Sequence, residues 1–355
     1  MINKITIKNF KAIQSAAIKL SDLSVFVGNN GSGKSSVIEA LQTLQTILIQ
    51  GISVGFTNRW FGLEKIQNNR ANNTKNDILI EFSGKVNNER YTYTVSFNSS
   101  PNNDVYFAAH EALLKGKNII FEIKKQQQEL SLPKHSHPFA RQIFAYIASW
   151  QFLSLIPEEM YFPVRREQSK LSISVSSSGR NLADFFSRLQ DNAALFNNVL
   201  DKMHYVLPDL DYIGASHDQI RKEVYLWLSE SKNQDRLPSW LFSSGTLRIL
   251  AILAILNSES PPPVVFIEEI ENGLDPRTLN LLVEEMRGLL PEHQFVATTH
   301  SPYFLDLVAL RHIIVAERTN GKTDYYRPDD DDRLNAWKTK FSAGNLYTMN
   351  KLSRS

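Results

Sequence analysis

LSVFVGNNGSGKSSVIEALQTLQTIL, residues 23 to 48, runs from an apolar stretch through a glycine-rich turn into a segment with apolar residues at Val37, Ile38, Leu41, Leu44 and Leu48. The first part suits a strand buried on both faces and the last an amphipathic helix, so the stretch reads strand, loop, helix. Gly28 to Ser35, GNNGSGKS, fits the pattern G-x-x-x-x-G-K-[ST] in the context that gives it meaning. Backbone N–H groups of such a loop converge on phosphate oxygens, and Gly31 and Gly33 leave room and permit unusual dihedrals. The helix N-terminus that follows adds partial positive charge. Lys34 is placed to reach the β- and γ-phosphates of a nucleotide, and the Ser35 hydroxyl to ligate magnesium.

A second stretch, VVFIEEIENGLDP at 264 to 276, leads from another buried strand into Glu268, Glu269, Glu271 and Asp275. Carboxylates at the C-terminal end of such a strand stand where open α/β sheets bind their ligands. Acidic residues there can also simply begin the next helix. The phosphate loop upstream decides between the two. A magnesium triphosphate needs a carboxylate, and its hydrolysis needs a residue that orients and deprotonates water. Glu268 is expected to hold the metal and Glu269 to polarise the water, with Glu271 structural.

Composition bounds the rest. At 355 residues the chain is long for one ordinary core and implies one elaborated domain or two lobes. Its 42% hydrophobic content and 20 Phe can fill a sizeable interior. A formal net charge of +2 gives no bulk attraction for nucleic acid and leaves only local patches. The absence of cysteine excludes disulfides, thiolate catalysis and cysteine metal sites, and fits a reducing cytosol. MINKITIKNF at the start lacks the apolar core of a signal peptide, and the longest apolar stretch, ILAILAIL at 249 to 256, is far short of a membrane span. A soluble cytoplasmic protein is expected.

Along the chain, NKITIKNFKAI alternates and predicts an early strand burying Ile5 and Ile7. Residues 51 to 76 are Gly- and Asn-rich and read as loop. DILIEFSGKVNNERYTYTVSF reads as an antiparallel hairpin turning at NN, and NIIFEI as a strand before a solvated KKQQQE linker. FARQIFAYIASWQFL and RNLADFFSRLQDNAALFNNVLDKMHYVL read as helical. SSGTLRILAILAILN reads as a helix that PPP stops, DPRTLNLLVEEMRGLL as a one-sided helix, and HQFVATTHSP as a last buried strand ending in His300. There is no internal repeat and no sustained heptad pattern, so no long coiled coil is expected.

In this order the segments resemble the ABC-type ATPase heads of the RecF/SMC group. Within it they are most similar to the compact bacterial AAA family ATPases related to the ATPase half of the overcoming-lysogenization-defect (OLD) proteins. IKNFKAI and the phosphate loop carry the likeness first, then EMYFPVRREQ, SSSGRNLADFFSRL, FSSGTLRILAIL, FIEEIENGLDP and ATTHSP, covering nearly the whole chain. The resemblance implies an α/β, ABC-type (P-loop) head. Its strand-rich nucleotide-binding lobe would come from 1–135 and 258–355, and its helical signature lobe from 136–257. It implies ATP and Mg2+ as cofactors, with Gly28, Asn29, Asn30, Gly31, Ser32, Gly33, Lys34, Ser35 and Ser36 on the phosphates. Ser243, Ser244 and Gly245 would form the signature, which contacts the γ-phosphate held by a second subunit. Ser35 and Glu268 would hold magnesium, Glu269 would be the base, Asp275 would lie in the loop crossing the dimer interface, and His300 would sense the γ-phosphate. SSGT alone also reads as a helix cap and His300 alone as a core histidine; the cap is compatible with the signature role. The sequence departs from the pattern at Glu268, where transporters carry aspartate, and at Ile270, where proline is common. The glutamine that links the lobes is Gln151 or Gln168.

The resemblance further implies a hydrolase used as a switch. ATP would close a head-to-tail homodimer, or a higher oligomer, over two nucleotides, and hydrolysis would reopen it. The output would pass to a separate effector such as a nuclease in bacterial anti-phage defence. Only 55 residues follow His300, too few for the nuclease domain of the larger OLD proteins, and PDDDDR at 328 to 333 reads as a solvated turn. The alternative is a RecF-like DNA-binding repair or recombination ATPase, for which Arg165, Arg166, Lys170 and Arg180 are the candidate phosphate track. A transporter subunit fits the hairpin and SSGT less well, and no membrane is expected.

Overall fold

The alternating amino terminus folds as strand β1 (Ile2–Phe10), with Ile2, Ile5, Ile7 and Phe10 turned into the core. β2 (Ile13–Lys19) returns antiparallel to it, and β3 (Leu23–Val27) is buried along its whole length. The glycine loop leads into α1 (Lys34–Gln50). Where a loop was expected from 51 to 76, the chain instead forms α2 (Ile52–Trp60) and α3 (Leu63–Ile66). β4 (Ile78–Val86) and β5 (Glu89–Ser99) make the expected hairpin. Asn87 and Asn88, with φ of 48° and 64°, supply the left-handed pair that a two-residue hairpin turn requires. β6 (Tyr106–Lys115) and β7 (Asn118–Ile123) complete an antiparallel sheet in the order β2-β1-β4-β5-β6-β7. Helix α4 (Pro138–Ala148) stops short of the expected QFL extension. Phe82 meets Tyr91, Tyr93 and Trp150 edge-on, at ring separations of 5.8, 5.7 and 5.2 Å.

Under this sheet Glu111 is 0% exposed, yet its carboxylate accepts four hydrogen bonds. They come from Tyr93 Oη (2.9 Å), Gln127 Nε2 (2.7 Å), Ser131 N (2.6 Å) and Leu132 N (3.0 Å). A buried charge is tolerated when its lone pairs are satisfied in this way. The KKQQQE segment is therefore more than a solvated linker, since Gln127 also exchanges both backbone bonds with Ala108.

The structure, a computed structural model, describes residues 1–68, 77–100, 102, 105–166, 174–231 and 233–354. It comprises two compact units, Met1–Trp150 with Gln294–Ser355, and Gln151–His293. The expected lobe boundaries at 135/136 and 257/258 fall inside the first and the second unit respectively.

The second unit opens with β8 (Gln151–Leu153), α5 (Pro157–Met160) and β9 (Val164–Arg165). The long helical stretch breaks at Asp191–Asn192 into α6 (Leu182–Gln190) and α7 (Ala193–Val206). β10 (Leu210–Asp218), β11 (Glu223–Glu230) and β12 (Asn233–Pro238) then form an antiparallel sheet, and β9 pairs with the start of β11 on the edge that β12 shares, opposite β10. This sheet stands beside the expected helices and was not read from the sequence. α8 (Ser244–Leu256), β13 (Val264–Ile267) and α9 (Pro276–Gly288) close the unit, β13 running parallel to β8.

The chain then returns to the first unit. β14 (Gln294–Thr298), α10 (Pro302–Asp306), β15 (Ile313–Thr319), β16 (Lys322–Tyr326) and α11 (Ala343–Thr348) complete it. β3 lies between β14 and β15, parallel to both, and β16 pairs antiparallel with β15. The Gln294 side chain clasps the first strand, accepting from Ile2 N and donating to Ile2 O, both at 2.7 Å. In PDDDDR, Asp331 is not solvated; it is buried and bonded to Arg333 (2.8 Å) and Arg354 (3.4 Å). Among the described residues no helix exceeds the 17 residues of α1, none is long and apolar enough to cross a membrane, and no group of three or more His, Asp or Glu could hold a metal.

Candidate functional site

The phosphate loop leaves β3 at its C-terminal end and is shaped by its glycines, with φ of 150° at Gly28, 75° at Gly31 and 101° at Gly33. Gly31 has open space where a side chain would be, whereas a Cβ on Gly33 would come within 2.9 Å of Tyr325 Oη and 3.1 Å of Thr323 Cγ2. That tyrosine, on β16, donates to the Gly33 carbonyl at 2.8 Å. Burial pushes its hydroxyl far above the usual phenol range, so it remains a donor. Lys34 is buried and folds back onto the loop, its Nζ donating to Gly28 O (2.8 Å) and Asn29 O (3.0 Å). Ser32 Oγ is buried with no partner among the described residues.

Ser35, in the first turn of α1, faces an open cavity of about 420 Å3 that Lys11, Lys34, Lys65 and Arg318 also line. Such a cavity, basic and opening on a helix N-terminus, suits a polyphosphate. A second cavity of about 370 Å3 lies between Asn29, Asn30 and the carboxy-terminal residues Tyr347 and Asn350. His300 belongs to the same unit. β14 runs beside β3 with Thr298 opposite Phe26, and Thr299 N donates to Phe26 O at 3.0 Å. His300 therefore leaves the sheet at the edge from which the phosphate loop springs.

The other expected site residues belong to the second unit. Ser243 caps α8, its Oγ accepting from Thr246 N at 3.0 Å, and Ser243 and Ser244 are exposed. A methyl group on Gly245 would overlap the carbonyl oxygen of Gly273, so the helix start and the 271–275 loop are packed backbone to backbone. Glu268 follows β13 directly, its N–H donating to Leu153 O at 2.8 Å. Glu269 takes a left-handed φ of 48°. Its carbonyl accepts from Asn272 N (2.9 Å), and its carboxylate from Asn272 Nδ2 (3.3 Å). The Glu271 carbonyl accepts from Leu274 N at 3.0 Å. The Asp275 carboxylate caps α9, accepting from Thr278 Oγ1 (2.6 Å), Arg277 N (2.9 Å) and Thr278 N (3.1 Å). The Thr278 hydroxyl first, and then the two N–H groups, hold it below the usual carboxylate range.

Of the lobe-linking candidates, Gln151 is buried with its amide donating to Val175 O (2.7 Å) and Phe152 O (3.2 Å). Gln168 lies outside the described residues, as does Lys170 of the basic cluster. Arg166 faces Asp191 at 3.6 Å, and Arg165 and Arg180 are exposed. Two residues were missed. Tyr325 gives no local sign in the sequence of its contact with the loop. Arg248, the lone charge in the apolar run of α8, could have been noticed for that reason.

Residues 23–306 match the family described as "AAA domain, putative AbiEii toxin, Type IV TA system". The chain is 21% identical to the "Retron Vc95 probable ATPase" of Vibrio cholerae serotype O1 biovar El Tor, over 82% of this chain and 68% of that protein. It is 32% identical to the Septu protein PtuA of Bacillus mycoides, over 31% of this chain but only 16% of that one. Among solved structures it superposes on an Smc head bound to the C-winged helix domain of ScpA with a TM-score of 0.60 at 14% identity, covering 92% of this chain and 97% of the other.

Proposed function

The chain belongs to the AAA-domain family so described and has the mixed α/β fold of an SMC-type, ABC-type ATPase head; from that premise we propose that it is a magnesium-dependent ATP hydrolase working as a dimerisation switch. The observation that carries this reading is the phosphate loop, where Lys34 rests on two loop carbonyls beside a basic cavity and can transfer its bonds to a nucleotide's β- and γ-phosphates. Gly28 to Ser36 would cradle the phosphates, and Ser35 and Glu268 would hold magnesium. When bound, magnesium draws off charge that develops on the transferred phosphoryl group. Glu269 would orient the attacking water and take its proton, and His300 would register the γ-phosphate.

The signature would serve a second copy of the chain. Ser243 and Ser244 leave the N-terminus of a 13-residue helix open to solvent, where it can meet the γ-phosphate held by another protomer. Asp275 would keep the neighbouring loop in shape at that interface rather than touch the nucleotide. In this proposal the strand-rich lobe of 1–135 and 258–355 carries the nucleotide and the lobe of 136–257 closes on its partner. A retron ATPase and a Septu protein among the relatives support an ATPase that controls a separate effector in the cytoplasm, as in anti-phage defence.

Mixing two impaired variants tests the composite site. Ser244→Arg fills the space the partner's γ-phosphate needs, and Glu269→Gln removes the base while leaving the phosphate contacts. Each alone should retain only a small residual rate. A heterodimer pairs the base of the first with the signature of the second and restores one working site, so partial hydrolysis should return on mixing. Full hydrolysis by Ser244→Arg alone, independent of protein concentration, would refute the switch.

A further inference from the structure

Arg248 is the only charged residue of α8, and it is half-buried. It lines a small, partly open cavity of about 10 Å3 together with Glu268, Glu269 and Asn272, against the apolar side chains of Leu155 and Ile252. A space of that size admits about one water molecule. The arginine's aliphatic stem lies over the 271–275 loop, since a Cβ built on Gly273 would stand 3.6 Å from Arg248 Cδ. The same glycine abuts Gly245 through its carbonyl. The start of α8, the loop and the arginine therefore form one packed body. Glu269 sits in that body with a left-handed backbone, a conformation that persists in a residue with a side chain only where its surroundings over-determine it.

We propose that Arg248 is a positioning residue for Glu269, its guanidinium holding the carboxylate at the mouth of this cavity so that the base is aligned when the signature end of α8 seats on a second copy. The inference rests on the reading of Glu269 as the base. Burial lowers the pKa of Arg248, and the Glu269 carboxylate, followed by that of Glu158, opposes the shift. The guanidinium stays charged in such a setting. Because the signature serves the partner's nucleotide and Glu269 the chain's own, the arginine joins one composite site to the other. Its donor fork can hold the carboxylate and still bond a water in the cavity.

Single-turnover hydrolysis at saturating ATP and equilibrium ATP binding, measured on R248Q, R248K, E269Q and R248Q/E269Q, test the proposal. R248Q should slow hydrolysis at least about 10-fold while ATP affinity stays within about twofold, the signature of a role confined to the transition state. R248K, which keeps the charge but loses the fork, should fall between R248Q and the parent. In the E269Q background R248Q should alter the residual rate by less than about twofold, because residues acting through one another are not additive. An equal fold-loss in both backgrounds overturns the proposal, as does loss of ATP binding in place of turnover. If E269Q hydrolyses ATP at the parent rate, the base reading fails and this inference falls with it, an outcome the E269Q rate by itself tells apart from the others. If R248Q melts earlier than the parent, R248K takes its place in the cycle.

Discussion

Lys34 points its ammonium at the carbonyls of Gly28 and Asn29, a geometry in which the charge is satisfied and ready to move. Lys34→Ala should abolish magnesium-dependent hydrolysis, costing about 2.7–4 kcal/mol of transition-state stabilisation by analogy with removing one preorganised donor. Steady-state phosphate release checks this, and a variant with unchanged turnover would discard the phosphate-loop assignment. Tyr325→Phe addresses the strut beneath the loop. It removes the side-chain donor to the Gly33 carbonyl, which keeps only the Ser36 N–H at 3.1 Å, and should cost about 1 kcal/mol of stability, with weaker ATP binding at unchanged fold, read from urea unfolding and nucleotide titration. Lys34 and Ser35 were legible because their motif is contiguous. Tyr325 was not, because its bond to Gly33 spans 292 positions of sequence and nothing local marks it. Asp275 was expected in an interface loop from its motif, and in the structure its carboxylate caps α9 and is held by that helix's own backbone.

Secondary-structure elements were readable where hydrophobic period and turn chemistry agreed. β1, the β4–β5 hairpin, α1 and α8 follow from alternation, an Asn-Asn turn and helical spacing. The 52–66 region did not, because Gly55 looked like a loop signal. In the structure it is a packing glycine, and a methyl group there would overlap the Ile47 side chain where α2 lies on α1. QFL was read as the end of a helix because a short apolar run has no period of its own. It is β8, and its neighbour β13 lies more than a hundred residues away. Glu111 shows what anchors one such element. Glu111→Ala removes the acceptor of four bonds at once and leaves the buried Tyr93 Oη and Leu132 N–H, and the part-buried Ser131 N–H, without it. The loss should be about 3 kcal/mol in urea-induced unfolding. A loss below about 1 kcal/mol would show that water takes the carboxylate's place.

At the scale of the molecule, the carboxy-terminal segment is tied back to the first unit by two carboxylates. Glu317 accepts from the Ser353 hydroxyl and from Arg354 N (3.0 Å), while Asp331 binds Arg333 and Arg354. The Arg333 side chain foremost holds the Asp331 carboxyl well below the usual carboxylate range. With the folded pKa below the unfolded value of about 3.9, its contribution is fully present above that value and is lost as pH falls through the folded one. Exchange protection of residues 351 to 354 should therefore hold from about pH 7 to 5 and fail only below about pH 4. Asp331→Asn should release the segment at neutral pH, as hydrogen-exchange mass spectrometry would register. The first unit is also discontinuous, interrupted by Gln151–His293, and its central strand β3 takes both neighbours, β14 and β15, from beyond the interruption. A nascent chain leaving the ribosome thus displays its phosphate loop on a strand with neither β14 nor β15 in place. It cannot assemble that loop's sheet until residues 313 to 315 have been translated. Prematurely terminated chains ending before β14 should carry the whole motif and hold no nucleotide, so the motif alone, once translated, makes no phosphate site.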